Sequence, residues 1–274
     1  MQLATKFGNN APILRSNTPL TDDQIREVAP SIFAADKHDS RSDRYTYIPT
    51  IEILTKLRDE GFQPFMVCQT RVRVDAKREH TKHMLRLRHA SQVASPETPE
   101  IVLLNSHGSS SYQMLAGYFR FICQNGLVFG DTTHDIRVPH KGYVVDHVVN
   151  GAHEVLDGFD LIRECKDEMA AVQLDEGEQQ AFARSVLALR YDVAEAPAPI
   201  TEDQLLRARR TEDTRPDLWT TFQRVQENVI KGGLPGRSAA GRRTSTRSVT
   251  GIDQDLRLNR AMWVLADEMR KLKG

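Results

Sequence analysis

Two periodicities divide the chain. From Phe62 to Val74 the pattern approaches a period of two, with Met66, Cys68, Val72 and Val74 on one side and Phe65, Val67, Gln69, Arg71 and Arg73 on the other, as a strand requires. After a polar turn at Asp75 to Glu79, His83 to His89 alternates again, Leu85 and Leu87 facing one way and Met84, Arg86 and Arg88 the other. The pair predicts a hairpin with one apolar and one arginine-rich face. Ile101 to Asn105, almost wholly apolar, predicts a third and central strand. Upstream, Thr21-Asp22-Asp23-Gln24 reads as a capping box opening a short helix that stops before Pro30. Thr50 is expected to cap a second helix, striped with Ile51, Ile53, Leu54 and Leu57 and ended by Gly61. Downstream, Ser106 to Ser111 reads as a turn into a helix, because Tyr112, Leu115, Tyr118, Phe119 and Ile122 recur at helical spacing before Asn125-Gly126. Leu127 to Phe129 and Ile136 to Val138 are short strand candidates.

Beyond Gly142 the period becomes helical. Tyr143 to Leu174 and Glu178 to Tyr191 carry apolar residues at helical intervals, and Ala194 to Ile200, with two prolines, reads as a linker. Thr201-Glu202-Asp203-Gln204 is a second capping box, and Leu218, Trp219, Phe222, Val225, Val229 and Ile230 stripe a helix that ends at Gly232-Gly233. Lys231 to Thr250 is rich in Gly, Ser, Thr and Arg with almost nothing to bury, the composition of a mobile loop. An amphipathic helix from Asp253 to Lys273 closes the chain. The predicted fold class is therefore α+β: a three-stranded antiparallel sheet with packed helices, a βββα-like core, followed by a helical C-terminal region. The expected segments are an N-terminal arm at 1–20, the α+β core at 21–142, a helical region at 143–230, a basic flexible loop at 231–250 and a C-terminal helix at 251–274.

Composition changes this picture little. At 274 residues and 39% hydrophobic content the chain can build a core. A formal net charge of zero excludes nucleic-acid binding by global basicity, so any such binding requires local patches. The opening segment lacks the pattern of a signal peptide and no apolar run approaches the roughly 20 residues of a membrane helix, which predicts a cytoplasmic protein. Cys68, Cys123 and Cys165 are isolated and read as buried reduced thiols.

No catalytic or metal-binding constellation is complete, and no cofactor fingerprint is present, so a non-catalytic protein acting without cofactor or metal is expected. His80, His83 and His89 lack the further ligands of a zinc site, and the serines after His107 lack both the lysine of a P-loop and the GxSxG spacing of a nucleophile elbow. The arginine face is the most informative feature, since like charges on adjacent strands repel and sit more comfortably beside an anion. Arg71, Arg73, Arg86 and Arg88, with Lys77, Arg78 and Lys82 in the turn region, could follow a phosphate backbone; a solvated sheet face is the plainer alternative. Arg237, Arg242, Arg243 and Arg247 in the basic segment add a second cationic element. Arg44 lies beside Tyr45 and Tyr47, which alternate on one side of an extended segment and are candidate stacking platforms; core tyrosines would look the same.

The strings Ala29-Pro30-Ser31-Ile32-Phe33, Ser42-Asp43-Arg44-Tyr45, Ile48-Pro49-Thr50, Thr81-Lys82-His83, Asn105-Ser106-His107 and Phe119-Arg120 to Asn125-Gly126-Leu127-Val128 resemble a phage- and plasmid-like family of conserved proteins of unknown function. The resemblance covers most of residues 20–230 and implies a bacterial mobile element, without transferring any catalytic residue. The helix, three-strand, helix order is also similar in topology to single-strand annealing proteins of the Red-beta, RecT and eukaryotic Rad type, which implies an oligomer that holds single strands in a basic groove. The expectation is a homo-oligomeric protein that binds and anneals single-stranded DNA. The alternative is a protein-interaction or anti-defence factor of a phage or plasmid acting on a host protein.

Overall fold

The computed structural model describes residues 13–34, 48–70, 81–92, 97–105, 111–120, 125–128, 135–140, 144–191 and 195–273. The chain forms two compact units, Met1–Phe159 and Asp160–Gly274.

The first unit is built on an antiparallel sheet of seven strands rather than three. These are β1 (Ile13–Arg15), β2 (Phe62–Gln69), β3 (His83–His89), β4 (Glu97–Asn105), β5 (Ser111–Arg120), β6 (Asn125–Val128) and β7 (Asp135–Pro139). Their order is β1-β2-β3-β4-β5-β6. β6 takes the Gly117–Arg120 half of the outer edge of β5, and β7 takes the Ser111–Leu115 half. β2, β3 and β4 are the three strands expected from alternation. β5 replaces the helix expected after Ser111. Its apolar side chains fall on both sides of the strand, Tyr112, Met114 and Ala116 on one and Leu115 on the other, and all are buried. A strand buried on both faces loses its period-two signature, and its apolar residues then match helical spacing by coincidence.

Three helices accompany the sheet: α1 (Asp22–Val28), α2 (Thr50–Asp59) and α3 (Val144–Asp157). Thr21 caps α1 in the expected box with Gln24. α2 buries Ile53, Leu54 and Leu57, and α3 buries Val144, Val148, Gly151, Ala152 and Val155. At Gly151 a side chain would overlap the Met114 methyl group and press on Ile136, so α3 lies close against β5 and β7. That packing puts α3 in the sheet unit, and the boundary falls near Gly158 rather than at residue 142. β1 likewise joins the sheet from within the segment expected to be an arm.

The second unit contains α4 (Phe159–Ala171), α5 (Glu176–Arg190), α6 (Glu202–Leu206), α7 (Leu218–Lys231), β8 (Pro235–Arg237), β9 (Arg243–Ser245) and α8 (Ile252–Lys273). α7 runs through its centre against α5, α6 and α8. Its expected apolar stripe is buried, with Phe222 meeting the rings of Phe182, Trp219 and Trp263 at 5.6–6.3 Å. Its polar face is buried too, and most of those groups find partners as desolvation demands, with Arg224 Nε an exception. Gln226 Nε2 donates to Asn259 at 2.9 Å, and Asn228 Nδ2 donates to the carbonyls of Leu205 and Arg207. Glu227 accepts from Arg210 at 2.5 and 2.8 Å and from Lys231 at 2.8 Å. Among the described residues no helix is long and apolar enough to cross a membrane.

Burial alone would raise the Glu227 carboxyl, but the hydrogen bonds from Arg210 and Lys231 outweigh it and hold the group below its ordinary value. A carboxylate depressed in the folded state stabilises above its unfolded pKa, about 4.3, and loses that contribution as pH falls through the folded value. Glu227→Gln is therefore expected to lower stability at neutral pH by about 1–3 kcal/mol and to flatten the fall of the denaturation midpoint below about pH 4. A variant with the parental acid slope would contradict this assignment.

Candidate nucleic-acid interface

The residues proposed from sequence to contact nucleic acid divide into three groups. Arg44, Tyr45, Tyr47, Arg71, Arg73, Lys77 and Arg78 lie outside the described residues. Lys82 is half-buried, its carbonyl accepting from Thr70 N–H at 2.8 Å. Arg86 and Arg88 turn into the protein instead of lining an open basic face, with 0% and 2% exposure. Alternation places them on one side of β3 but does not say that this side is also covered. Glu100 on β4, itself fully buried, receives Arg86 Nη1 at 3.3 Å and both Nε and Nη2 of Arg88 at 2.8 Å. The Arg88 guanidinium also lies 4.3 Å from the centroid of the Phe65 ring. Arg15, 4% exposed, joins the same face, since Met66 is its register partner and that of Arg86. Arg86 and Arg88 thus belong to an interior charge cluster around Glu100.

The opposite face holds a chain of hydrogen bonds that alternation did not reveal. The Ser31 backbone N–H can only donate, so Gln69 Oε1 accepts from it at 3.1 Å and the orientation of that amide is set. Ser31 Oγ, 2.8 Å from the same oxygen, must donate to it, which leaves Oγ to accept from His83 Nδ1 at 2.8 Å. His83 Nε2 then accepts the Thr50 hydroxyl proton at 2.9 Å, while Thr50 Oγ1 accepts from Asn105 Nδ2 at 3.0 Å. Thr50 spends its hydroxyl here and not on capping α2, whose N-cap is Pro49. His89, weighed with His83 as a metal ligand, sits six residues along the strand, roughly 20 Å away at 3.3 Å per residue. It is bonded to Ser91 at 2.7 Å. Among the described residues no three His, Cys, Asp or Glu side chains gather to hold a metal ion. Burial pushes the Cys165 thiol up, with nearby Arg270 opposing, which disfavours a reactive thiolate there.

The basic segment forms a β-hairpin, where a mobile loop was expected. Pro235 faces Ser245, Gly236 faces Thr244 and Arg237 faces Arg243. The tip closes by Gly241 N–H to Ser238 O at 2.8 Å, with Gly241 at φ +73° and Ser238 N–H on Arg242 O, a three-residue loop with a glycine bulge. The hairpin is seated on its own unit. A side chain at Gly236 would overlap the Pro199 carbonyl. Arg237 N–H donates to that carbonyl at 2.8 Å, Gln204 Nε2 to Pro235 O at 2.6 Å, and Val249 behind it is fully buried. At its base a Cβ on Gly232, φ +61°, would come within 2.7 Å of the Arg247 backbone.

Arg237, Arg242, Arg243 and Arg247 are all exposed, and among the described residues no carboxylate pairs with any of them. The Arg237 N–H leaves the ladder for Pro199, so Arg237 and Arg243 form a non-hydrogen-bonded pair. In that register opposing Cβ atoms stand about 4.5–5.5 Å apart. Arg190, at the C-terminal end of α5, donates from Nη2 to the Arg247 carbonyl at 3.3 Å, and its guanidinium lies 5.5 Å from the Tyr191 ring. Residues 231–250 carry five basic and no acidic residues; Lys231 pairs with Glu227, and the four arginines are the charge that a neutral chain gathers here.

Residues 37–263 match the model of the domain of unknown function DUF932. The chain belongs to the DUF932 family. The match reaches from ahead of β2 into α8, so it includes most of the sheet, the buried Glu100 cluster and the basic hairpin. This DUF932 chain is similar to the UPF0380 proteins YafZ and YfjQ of Escherichia coli K12, each 55% identical over 269 residues that cover 98% of this chain and 97% of the relative. No solved structure matches.

Two expectations follow for the DUF932 sheet. Glu100→Ala removes the carboxylate between two buried cations and should lower stability by about 3 kcal/mol or more in urea denaturation; a loss below about 1 kcal/mol would show that Glu100 does not hold the cluster together. His83 should carry its proton on Nδ1, read from long-range nitrogen-proton correlations in NMR; the Nε2–H tautomer would contradict the hydrogen-bond order derived above.

Proposed function

We propose that this DUF932 protein binds single-stranded nucleic acid through the β8–β9 hairpin, without catalysis. One observation carries the reading: two arginines face each other in the closest cross-strand register, exposed and without a carboxylate among the described residues. Like charges placed so are destabilising, and a polyanion relieves the repulsion while releasing its own counterions. Arg242 and Arg247 extend the charge along β9 and its flanks. At about 3.3 Å per residue, Arg243 and Arg247 are separated by roughly 13 Å of extended chain, a span that suits a strand laid along the hairpin. Arg86 and Arg88 have no direct part in this reading. Annealing of complementary strands by a homo-oligomer, and service to a bacterial mobile element, belong to the same proposal as expectations from the sequence; the helix, three-strand, helix order that suggested annealing is not the order of this sheet, in which β5 takes the place of the second helix.

The test is fluorescence anisotropy of a labelled oligothymidylate between 50 and 200 mM salt. Single strands give a logarithmic salt slope of about −0.7 per neutralised phosphate, so four arginines predict a slope near −3. Arg237→Glu with Arg243→Glu should weaken binding roughly tenfold or more and about halve that slope. Parental affinity and slope in the double variant would remove the hairpin from the reading. No binding at 50 mM salt would leave the host-protein partner as the better account.

A further inference from the structure

Beside the hairpin lies an open groove of about 720 Å³, between residues 198–204 and the strands β8 and β9. Its walls include Ala198, Pro199, Ile200 and Gly236, with Arg237 and Arg243 at its border. At its floor the Gly236 backbone lies against Pro199, where a side chain would not fit. Its surface is mostly apolar, yet it abuts the most concentrated unpaired positive charge among the described residues. An apolar slot edged by planar cations suits a ligand that is flat and apolar on its faces and anionic at its ends.

We propose that this groove seats an unpaired nucleobase, with the flanking phosphates on Arg237 and Arg243. The inference rests on the single-strand reading above and adds how the strand is held. Guanidinium planes stack on bases, and a base inserted beside Pro199 and Ile200 loses water from both faces. The amide and the backbone carbonyls nearest the groove are already engaged. Gln204 Oε1 accepts from Thr201 N–H at 3.0 Å and its Nε2 donates to Pro235 O, while Pro199 O accepts from Arg237 N–H. With the amide and the carbonyl spent on holding the hairpin, the groove recognises a base by shape and stacking and not by its edge. Binding is therefore tolerant of sequence but sensitive to the presence of bases.

The experiment compares the full chain binding two labelled oligonucleotides of equal length and charge, one of thymidines and one of abasic sites. The thymidine strand should bind about tenfold more tightly, as expected for stacking of one or two bases. Ala198→Leu and Thr244→Ile fill the groove without changing charge, so each should reduce that preference while the salt slope stays parental. Circular dichroism of each variant checks that the fold is retained. Equal, salt-dependent binding of both strands by the wild-type chain overturns the base seat and leaves the polyanion reading standing. Binding of neither overturns both. If polyglutamate competes as well as the thymidine strand, the groove serves an acidic peptide and the base seat is wrong.

Discussion

A polar group removed from water must meet another polar group, or its desolvation is uncompensated. In this chain that requirement acts on both faces of the first unit's sheet and around the whole circumference of α7. Arg86 and Arg88 are held inside with Glu100 between them, and His83 with hydroxyls at both ring nitrogens. α7 carries Gln226, Glu227 and Asn228 in its interior because α6, α8 and the residues after α6 present matching groups. Arginines outside that regime acquire a different meaning. Those of the hairpin are in water and lie close to one another, without a carboxylate among the described residues.

The hairpin holds its arginines in place through backbone contacts and not through side-chain packing. Gly236 brings β8 onto Pro199, Gly232 brings the end of α7 onto the Arg247 backbone, and Gly241 takes the left-handed conformation that closes the tip. Glycines that would suggest looseness by composition are here the positions where two backbones meet. A short two-stranded ribbon is marginal in isolation, so these contacts with residues 199–204 and 230–232 give it a fixed register. That register is what sets Arg237 opposite Arg243.

The two polar systems of the sheet unit differ in kind. The Glu100 cluster is ionic, and breaking it from the carboxylate side would strand cations in a dry interior. The His83 chain is directional: the fixed donor at Ser31 N–H sets the sense of the bonds that follow it. It links the 3-10 turn Pro30–Ile32 that follows α1, α2, and strands β2, β3 and β4, elements far apart in the chain. Such a network specifies a single arrangement of those elements, because a slipped strand would leave several buried groups unmet.

By itself the sequence determined the local elements whose signals are local. The capping boxes at Thr21 and Thr201, the alternation of β2 and β3, the apolar stripe of α7 and the concentration of arginine between 231 and 250 all appear where the pattern places them. It also marked the short strands β6 and β7. Tertiary structure alone decided the rest. β5 reads as a helix because burial on both faces erases a period of two, and the arginine face of β3 reads as solvated because alternation says which residues share a side, not what covers it. The facing of Arg237 and Arg243 came from a glycine packed against a proline carbonyl, a contact between backbones that leaves no trace in hydrophobic periodicity.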